Sequence, residues 1–384
     1  MKKGPATRSL LTNHDTVQDM VGCRLLYVVG QLRLGGLERQ LYYLLASLDR
    51  DRHRPAVVVW NFDRYDKYYH DIDALKIPIY GFPAEWSSLS KLQALRTISR
   101  QTTPEVIHSY SFFTNFAAYY AAWGTSALAI GSVRGDLARA KSDGGVIRGA
   151  LNARWPSFLI SNNLTSADAA RRDSSLFAPR QVFVVRNGLD LKRFRCVDNT
   201  PNTRRYVAAV GSLFPVKRWD RLLRAVQRVK RVVREDIHFR IAGDGPLRSV
   251  LEEQAKNLGI SQAVEFLGVT YDIQTFLRGA KFLVHTSESE GCPNAVMEAM
   301  ACGCAVVAMD AGDIPYLIDD GKTGFVIQQG DETTLAERIS VLFQNDELCR
   351  AIGLAARARA EQEFSLERLM LETLAVYHSA GWNE

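Results

Sequence analysis

Short apolar runs recur along the 384-residue chain, spaced so that a helix fits between most neighbours, and this alternation constrains the fold more than any other feature. In the first half they are 23–30 (CRLLYVVG), 56–60 (AVVVW), 105–109 (EVIHS), 127–133 (ALAIGSV), 157–161 (SFLIS) and 181–185 (QVFVV). In the second half they are 206–211 (YVAAVG), 237–242 (IHFRIA), 264–267 (VEFL), 281–286 (KFLVHT), 304–309 (CAVVAM) and 324–327 (GFVI). Their length suits strands, and their near-continuous apolarity suits strands covered on both faces. Between them lie segments such as LERQLYYLLASL (37–48), with apolar residues at helical spacing. Strands alternating with helices predict an α/β chain with parallel sheets. A polar, proline-bearing stretch without periodicity separates the two sets. The chain therefore reads as a polar tail (1–20), a first α/β domain (21–196), a linker (197–205), a second α/β domain (206–364) and a C-terminal helix (365–384). Pattern alone leaves the docking partner of that helix open, with the first domain as the candidate.

Composition narrows the function. Hydrophobic residues at 47% and charged residues at 23% exclude a disordered or coiled-coil chain. No run approaches the ~18–20 uncharged apolar residues of a membrane span, and the first residues lack the apolar core of a secretory signal. Six cysteines without a C-x-x-C pair fit reduced thiols rather than a zinc site or disulfide framework. These features point to a cytoplasmic protein. Charge is uneven: residues 1–200 carry 27 Lys and Arg against 17 Asp and Glu, whereas the remainder is slightly acidic. A basic half suits an anionic partner such as a phosphorylated lipid or an anionic membrane surface, and equally a plain solvated surface. No nucleic-acid-binding motif accompanies it.

The segment richest in chemistry is 285–303 (HTSESEGCPNAVMEAMACG), a strand end running through a polar loop into a helix. Pro293 fits the helix start and Gly303 its end. Glu290 sits before the helix and Glu298 more than a turn inside it. Free amides at the helix start suit a phosphate, and the two carboxylates suit sugar hydroxyls. Together these describe a nucleotide sugar; the alternative is a capping Glu290 and a solvated Glu298.

Around these residues the sequence resembles the E-x7-E signature of family 4 glycosyltransferases. The resemblance extends over SEGCPNAVMEAMACGCAVVA, AGDIPYLIDDGKTGFVI, VGSLFPVKRWDRLL (210–223) and FRIAGDGPLRSVLEEQAKNLGI (239–260). It is looser over GGLERQLYYLLASL (35–48), EVIHSYSFFTN (105–115) and VVRNGLDLKRF (184–194). It implies the GT-B fold, two Rossmann-like domains with parallel sheets facing across an interdomain cleft. It also implies retaining transfer of a hexosyl or N-acetylhexosaminyl unit from a nucleotide sugar, UDP-linked among the options. The implied acceptor is a glycan or lipid-linked saccharide of cell-surface polysaccharide or lipopolysaccharide synthesis. No cofactor and no metal are implied.

Residue by residue, the resemblance makes Glu290 the contact to the transferred sugar and Glu298 the contact to the donor ribose. Lys217 becomes the cation on the donor diphosphate, where leaving-group charge develops. Gly35 and Gly36 match the glycine loop of the first domain, with a plain strand-to-helix turn as the alternative. Gly243, Gly245 and Gly268 line the expected donor site, as do Gly291, Cys292, Pro293 and Asn294. Ser212 stands where similar proteins carry arginine, so Arg218 is the candidate replacement. Cys292 replaces an aromatic residue. In SVRGD, Arg134 takes the place of a histidine; never a base at neutral pH, it would bind an anionic group of donor or acceptor. His108 is either an acceptor contact or a core histidine. The stretch 137–160 is either an amphipathic helix over the sheet or a rest for the protein on an anionic membrane. Two rivals remain: a sugar-nucleotide epimerase of the same architecture, and a non-catalytic nucleotide-sugar binder.

Overall fold

The computed structural model describes residues 11–12, 22–196, 206–233 and 235–383. The linker expected at 197–205, and the tail expected at 1–20 apart from Leu11–Thr12, lie outside the described residues. The chain divides into two compact units, residues 1–188 with 366–384, and residues 189–365.

The first unit contains β1 (Leu11–Thr12), β2 (Leu25–Val29), β3 (Pro55–Val59), β4 (Ile79–Gly81), β5 (Val106–Ser109), β6 (Leu128–Val133), β7 (Phe158–Ser161) and β8 (Gln181–Val184). They form one sheet of order β1-β4-β3-β2-β5-β6-β7-β8, with β1 antiparallel to β4 and the other pairs parallel. Along β2 successive side chains enter opposite layers. Leu25, Tyr27 and Val29 join one core, and Leu26 and Val28 another. A strand buried on both faces has no polar positions to alternate, hence the continuous apolar run.

The second unit contains β9 (Tyr206–Val210), β10 (Phe239–Ala242), β11 (Val264–Gly268), β12 (Ala280–His285), β13 (Ala305–Met309) and β14 (Phe325–Ile327). They form an all-parallel sheet of order β11-β10-β9-β12-β13-β14. Val207 and Ala209 face one core, Tyr206 and Ala208 the other.

Three expectations change. β4 was not legible as a strand, because its three residues lie between Pro78 and Pro83. The stretch 137–160 is two short helices, Leu137–Asp143 and Val146–Arg154, followed by β7. Gly144 and Gly145 break the helix, and Gly149 lets the second helix approach the Lys141 carbonyl closely. The first domain ends earlier than residue 196. The Leu189 amide donates to the Phe364 carbonyl (2.7 Å), and Phe194 is buried in a core of the second unit.

The C-terminal helix Leu366–Ser379 belongs to the first unit, where Leu369, Tyr377 and Trp382 enter the core of β2. The Trp382 indole donates to Glu105 (2.6 Å). His108 on β5 is bonded through Nδ1 to the Tyr377 hydroxyl (2.6 Å) and through Nε2 to the Ser132 hydroxyl (2.9 Å). Both ring nitrogens are spent inside the protein and the residue is buried. The expected acceptor role of His108 is therefore corrected: it is a core histidine fastening the C-terminal helix.

Burial, and then the charge of Arg134, hold the His108 pKa well below its ordinary 6.5. In the unfolded chain His108 takes a proton below that pH while the folded one stays neutral, so its contribution is complete above about 6.5 and declines as pH falls. We expect acidification from about pH 7.5 to about 5.5 to lower protection of the β5 amides against hydrogen exchange more in the wild type than in His108→Gln, with a limiting slope of about 1.4 kcal/mol per pH unit. Parallel losses in both proteins would show that His108 titrates normally.

Candidate active site

Strand order in the second unit creates a natural opening. From β9 the chain proceeds outward to β10 on one side, while β12 leads to β13 on the other. The loops leaving β9 and β12 thus diverge at a switch point, where parallel sheets hold ligands at their C-terminal ends.

After β9 comes Gly211, then a single 3-10 turn, Pro215–Lys217. Arg218 adopts a left-handed conformation (φ 49°) and starts the helix Trp219–Val232. The Trp219 indole pins the turn by donating to the Ser212 carbonyl (3.0 Å). After β12 come the polar loop and the helix Asn294–Ala301, preceded by Pro293. The two connections are laced together. The Glu288 amide donates to the Val216 carbonyl (2.9 Å), and the Thr286 hydroxyl donates to the Lys217 carbonyl (3.0 Å).

This lacing delivers Lys217 to Glu290. The Lys217 ammonium donates to Glu290 Oε1, and His285 Nε2 lies 3.0 Å from the same oxygen. The Glu290 side chain is only 12% exposed and that of Lys217 21%. Burial pushes the Glu290 carboxyl up, but the His285 hydrogen bond and the attraction of His285 and Lys217 outweigh it, leaving the pKa well below the usual carboxylate range. Glu290 is therefore an acceptor of hydrogen bonds at neutral pH, not a proton donor. His285 is the residue the sequence reading missed. It looked like the tail of a strand, and it meets Glu290 only because the loop doubles back.

Glycines shape the floor. A Cβ on Gly243 would collide with the Gly211 carbonyl, so the turns after β9 and β10 touch backbone to backbone. Gly243 also donates to the Gly268 carbonyl (2.8 Å), which joins the end of β11 to the same edge. Gly245 lies against Leu213. Gly312 (φ 56°) would collide with the Glu290 carbonyl if it carried a side chain, and the Asp313 amide donates to the Gly291 carbonyl (3.1 Å). The turn after β13 thus supports the Glu290 loop from behind.

Glu298 is buried within its helix, which rules out the solvated-face alternative. Asn294 opens that helix beside the half-buried Gly291. Cys292 is corrected as a donor contact through its side chain: the thiol is buried and points to the Met297 sulfur (3.4 Å). Arg218 is held by Asp220 (3.1 Å) and Glu288 (3.0 Å), so its guanidinium is already satisfied by carboxylates.

In the first unit, Gly35 caps the helix Gly36–Ser47 in an extended conformation. The space a Gly35 side chain would need is filled by the buried carboxylate of Glu38, whose pKa burial raises. Arg134 follows β6, with its guanidinium 3.9 Å from the centre of the Tyr110 ring.

Two family models match in tandem, "Glycosyltransferase Family 4" over residues 34–193 and "Glycosyl transferases group 1" over residues 192–359. N-acetyl-alpha-D-glucosaminyl L-malate synthase of Bacillus anthracis is 27% identical over 53% of this chain and 52% of its own length, so that match spans about half of the relative. An undecaprenol-linked alpha-1,4-N-acetyl-D-galactosaminyltransferase of Campylobacter jejuni is 23% identical over 91% of this chain and 96% of its own. Among solved structures, HepE of Anabaena in complex with UDP superposes with a TM-score of 0.80 at 20% identity, covering 93% of this chain and all of that one. Tandem models, the two sheets and the glutamates at 290 and 298 agree, and the chain belongs to the family 4 glycosyltransferases.

Proposed function

We propose that this protein is a retaining, metal-independent glycosyltransferase. It would move a hexosyl or N-acetylhexosaminyl unit from a UDP-sugar to a glycan or lipid-linked acceptor. The observation that carries the reading is the contact of Lys217 and His285 with one oxygen of Glu290 at the switch point of the second sheet. The acceptor hydroxyl attacks the anomeric carbon on the face of the departing diphosphate. The bond from that carbon to the phosphate oxygen breaks, and the hydroxyl proton passes to a phosphate oxygen of the leaving group. Lys217 has three N–H groups; one holds Glu290 and the others are available to the diphosphate, so a fixed cation meets the charge as it develops. Glu290 and Glu298 take hydrogen bonds from donor hydroxyls. Names of relatives support this choice of substrates, since they include N-acetylhexosaminyl transfer and an undecaprenol-linked acceptor.

Glu290→Gln keeps the shape but removes the charge that orients Lys217. We expect UDP release from UDP-N-acetylglucosamine with an acceptor mixture to slow about 10²–10³-fold, with UDP affinity changed less than about threefold. Wild-type turnover in this variant would remove Glu290 from the reaction. Conversion of the donor to an isomer without acceptor would favour an epimerase instead, and saturable EDTA inhibition would overturn metal independence.

Lys217→Met leaves the Glu290 carboxylate buried with His285 alone. Complete burial of such a pair would make the loss about 3–5 kcal/mol; with both groups partly exposed and His285 in place, we expect about 2 kcal/mol, together with weaker UDP binding. Denaturant unfolding with UDP titration measures both. Unchanged stability would show that the pair contributes nothing to the fold.

The first unit also supports peripheral membrane contact, although no described helix is long and apolar enough to cross a membrane. Val146 and Ile147 are 92% and 74% exposed at the start of a helix that also carries exposed Arg148, close in sequence to exposed Arg139. Apolar tips beside arginines suit an anionic interface. We expect the full chain to co-sediment with phosphatidylglycerol vesicles at low salt and Val146→Ser/Ile147→Ser to do so several-fold less. Equal sedimentation of wild type with neutral phosphatidylcholine vesicles would sink this contact.

A further inference from the structure

Among the described residues of the first unit, Arg134 is a charged group with two buried guanidinium nitrogens that its surroundings do not account for. Its Nε and Nη1 are buried and have no hydrogen-bond partner, and neither has the hydroxyl of Tyr110, whose ring the guanidinium covers at 3.9 Å. No carboxylate among the described residues forms an ion pair with it. The polar groups nearest in sequence are committed elsewhere. The Gly135 carbonyl accepts from Asn163 (3.3 Å), and the Asp136 carboxylate caps the following helix at the Arg139 amide (2.7 Å). His108 is spent on Tyr377 and Ser132, and the charge of Arg134 helps keep it neutral. The ring face attracts the cation, and the Tyr110 hydroxyl feels its charge without making a well-formed hydrogen bond to it. A half-buried guanidinium with two unused nitrogens is an unfinished anion site.

The position supports the same conclusion. Tyr110 follows the C-terminal end of β5 and Arg134 that of β6, on the ligand-binding edge of a parallel sheet. We infer that Arg134 receives a phosphate group carried by the acceptor. This rests on the reading of the second unit as the donor site: Lys217, held on Glu290, serves the donor diphosphate there, so a cation without an ion pair in the other unit calls for a second anion. A phosphate of a lipid-linked or polyol-phosphate acceptor has the charge and the oxygens to engage both idle nitrogens and the Tyr110 hydroxyl.

The test uses the full chain, inorganic phosphate as the probe, and the Arg134 Nε–H resonance, identified by its loss in Arg134→Gln. With UDP saturating, phosphate shifts that resonance saturably, and Arg134→Gln abolishes this phosphate binding while UDP affinity changes less than about twofold. Arg134→Lys retains weaker phosphate binding, because charge remains and the planar fork is lost. Without phosphate, Arg134→Gln melts at or above the wild-type temperature, because relief of a half-buried charge without an ion pair outweighs the lost contact with the Tyr110 ring; a purely structural cation–π role predicts a lower one. Loss of the phosphate-induced shift when UDP is added, or UDP binding weakened about tenfold or more in Arg134→Gln, would assign the arginine to the donor and overturn the inference. A wild-type protein whose Arg134 resonance ignores phosphate would overturn it as well. Failure of the donor reading is seen separately, as wild-type protein that does not bind UDP.

Discussion

A single carboxylate oxygen, Oε1 of Glu290, organises the second unit's edge. It draws an ammonium from the connection after β9 and an imidazole from the end of β12. Desolvation opposes the charge on Glu290, and the two donors outweigh it, so the cluster persists as an ion pair rather than a neutral acid beside a displaced lysine. Everything nearby serves to bring those groups together. Hydrogen bonds from the Glu288 amide to the Val216 carbonyl and from the Thr286 hydroxyl to the Lys217 carbonyl fix the two loops in register. Gly243 and Gly312 remove side chains where backbone must approach backbone.

Around that centre the remaining cations of the edge are neutralised in a ladder. Arg224 pairs with Glu332 and Asp220, Arg218 with Asp220 and Glu288, and Arg221 with Glu288 and Gln329. The ladder stiffens the helix Trp219–Val232 against the loop that carries Glu290. It also explains why Arg218, although adjacent to Lys217, is poorly suited to replace a phosphate-binding arginine. Taking it for that purpose would remove one of the two arginines on each of Asp220 and Glu288.

Much of this architecture is written in local sequence. Runs such as PAVVV and AVVAM are buried on both faces, so their apolar continuity marks them as strands wherever they occur. The residue pattern put Glu290 in a loop ahead of a helix and Glu298 inside it, and the fold has them there, whereas Lys217 lies in a 3-10 turn, separated from its helix by Arg218. What escaped was information that exists only after folding. β4 is a strand because β3 pairs with it, not because Ile79–Gly81 favours one. His285 belongs to the site because its loop returns, Cys292 leaves it because its side chain turns to Met297, and Gly35 has the Glu38 carboxylate packed over it. His108 illustrates the same limit: a histidine at a strand end is indistinguishable in sequence from a ligand contact until Tyr377, 269 residues away, is seen to engage its Nδ1.

Arg134 and the cations around Glu290 are handled in opposite ways. In the second unit, the cations around the glutamate loop meet carboxylates, and Lys217 itself sits on one. In the first, Arg134 is left on an aromatic face with two nitrogens unused, and it contributes to the depression of the His108 pKa beside it. A charge kept partly out of water without a partner opposes folding, whereas a paired one is nearly neutral to it. The first unit could satisfy Arg134 by placing an acid near it, and Asp136 is only two residues away, yet that carboxylate is turned to cap a helix. The same chain therefore contains both solutions, and the contrast is informative. Paired charges hold the edge around Glu290 in shape before any ligand arrives. An unpaired one has its strongest interaction still to make, so its free energy is realised on binding rather than on folding.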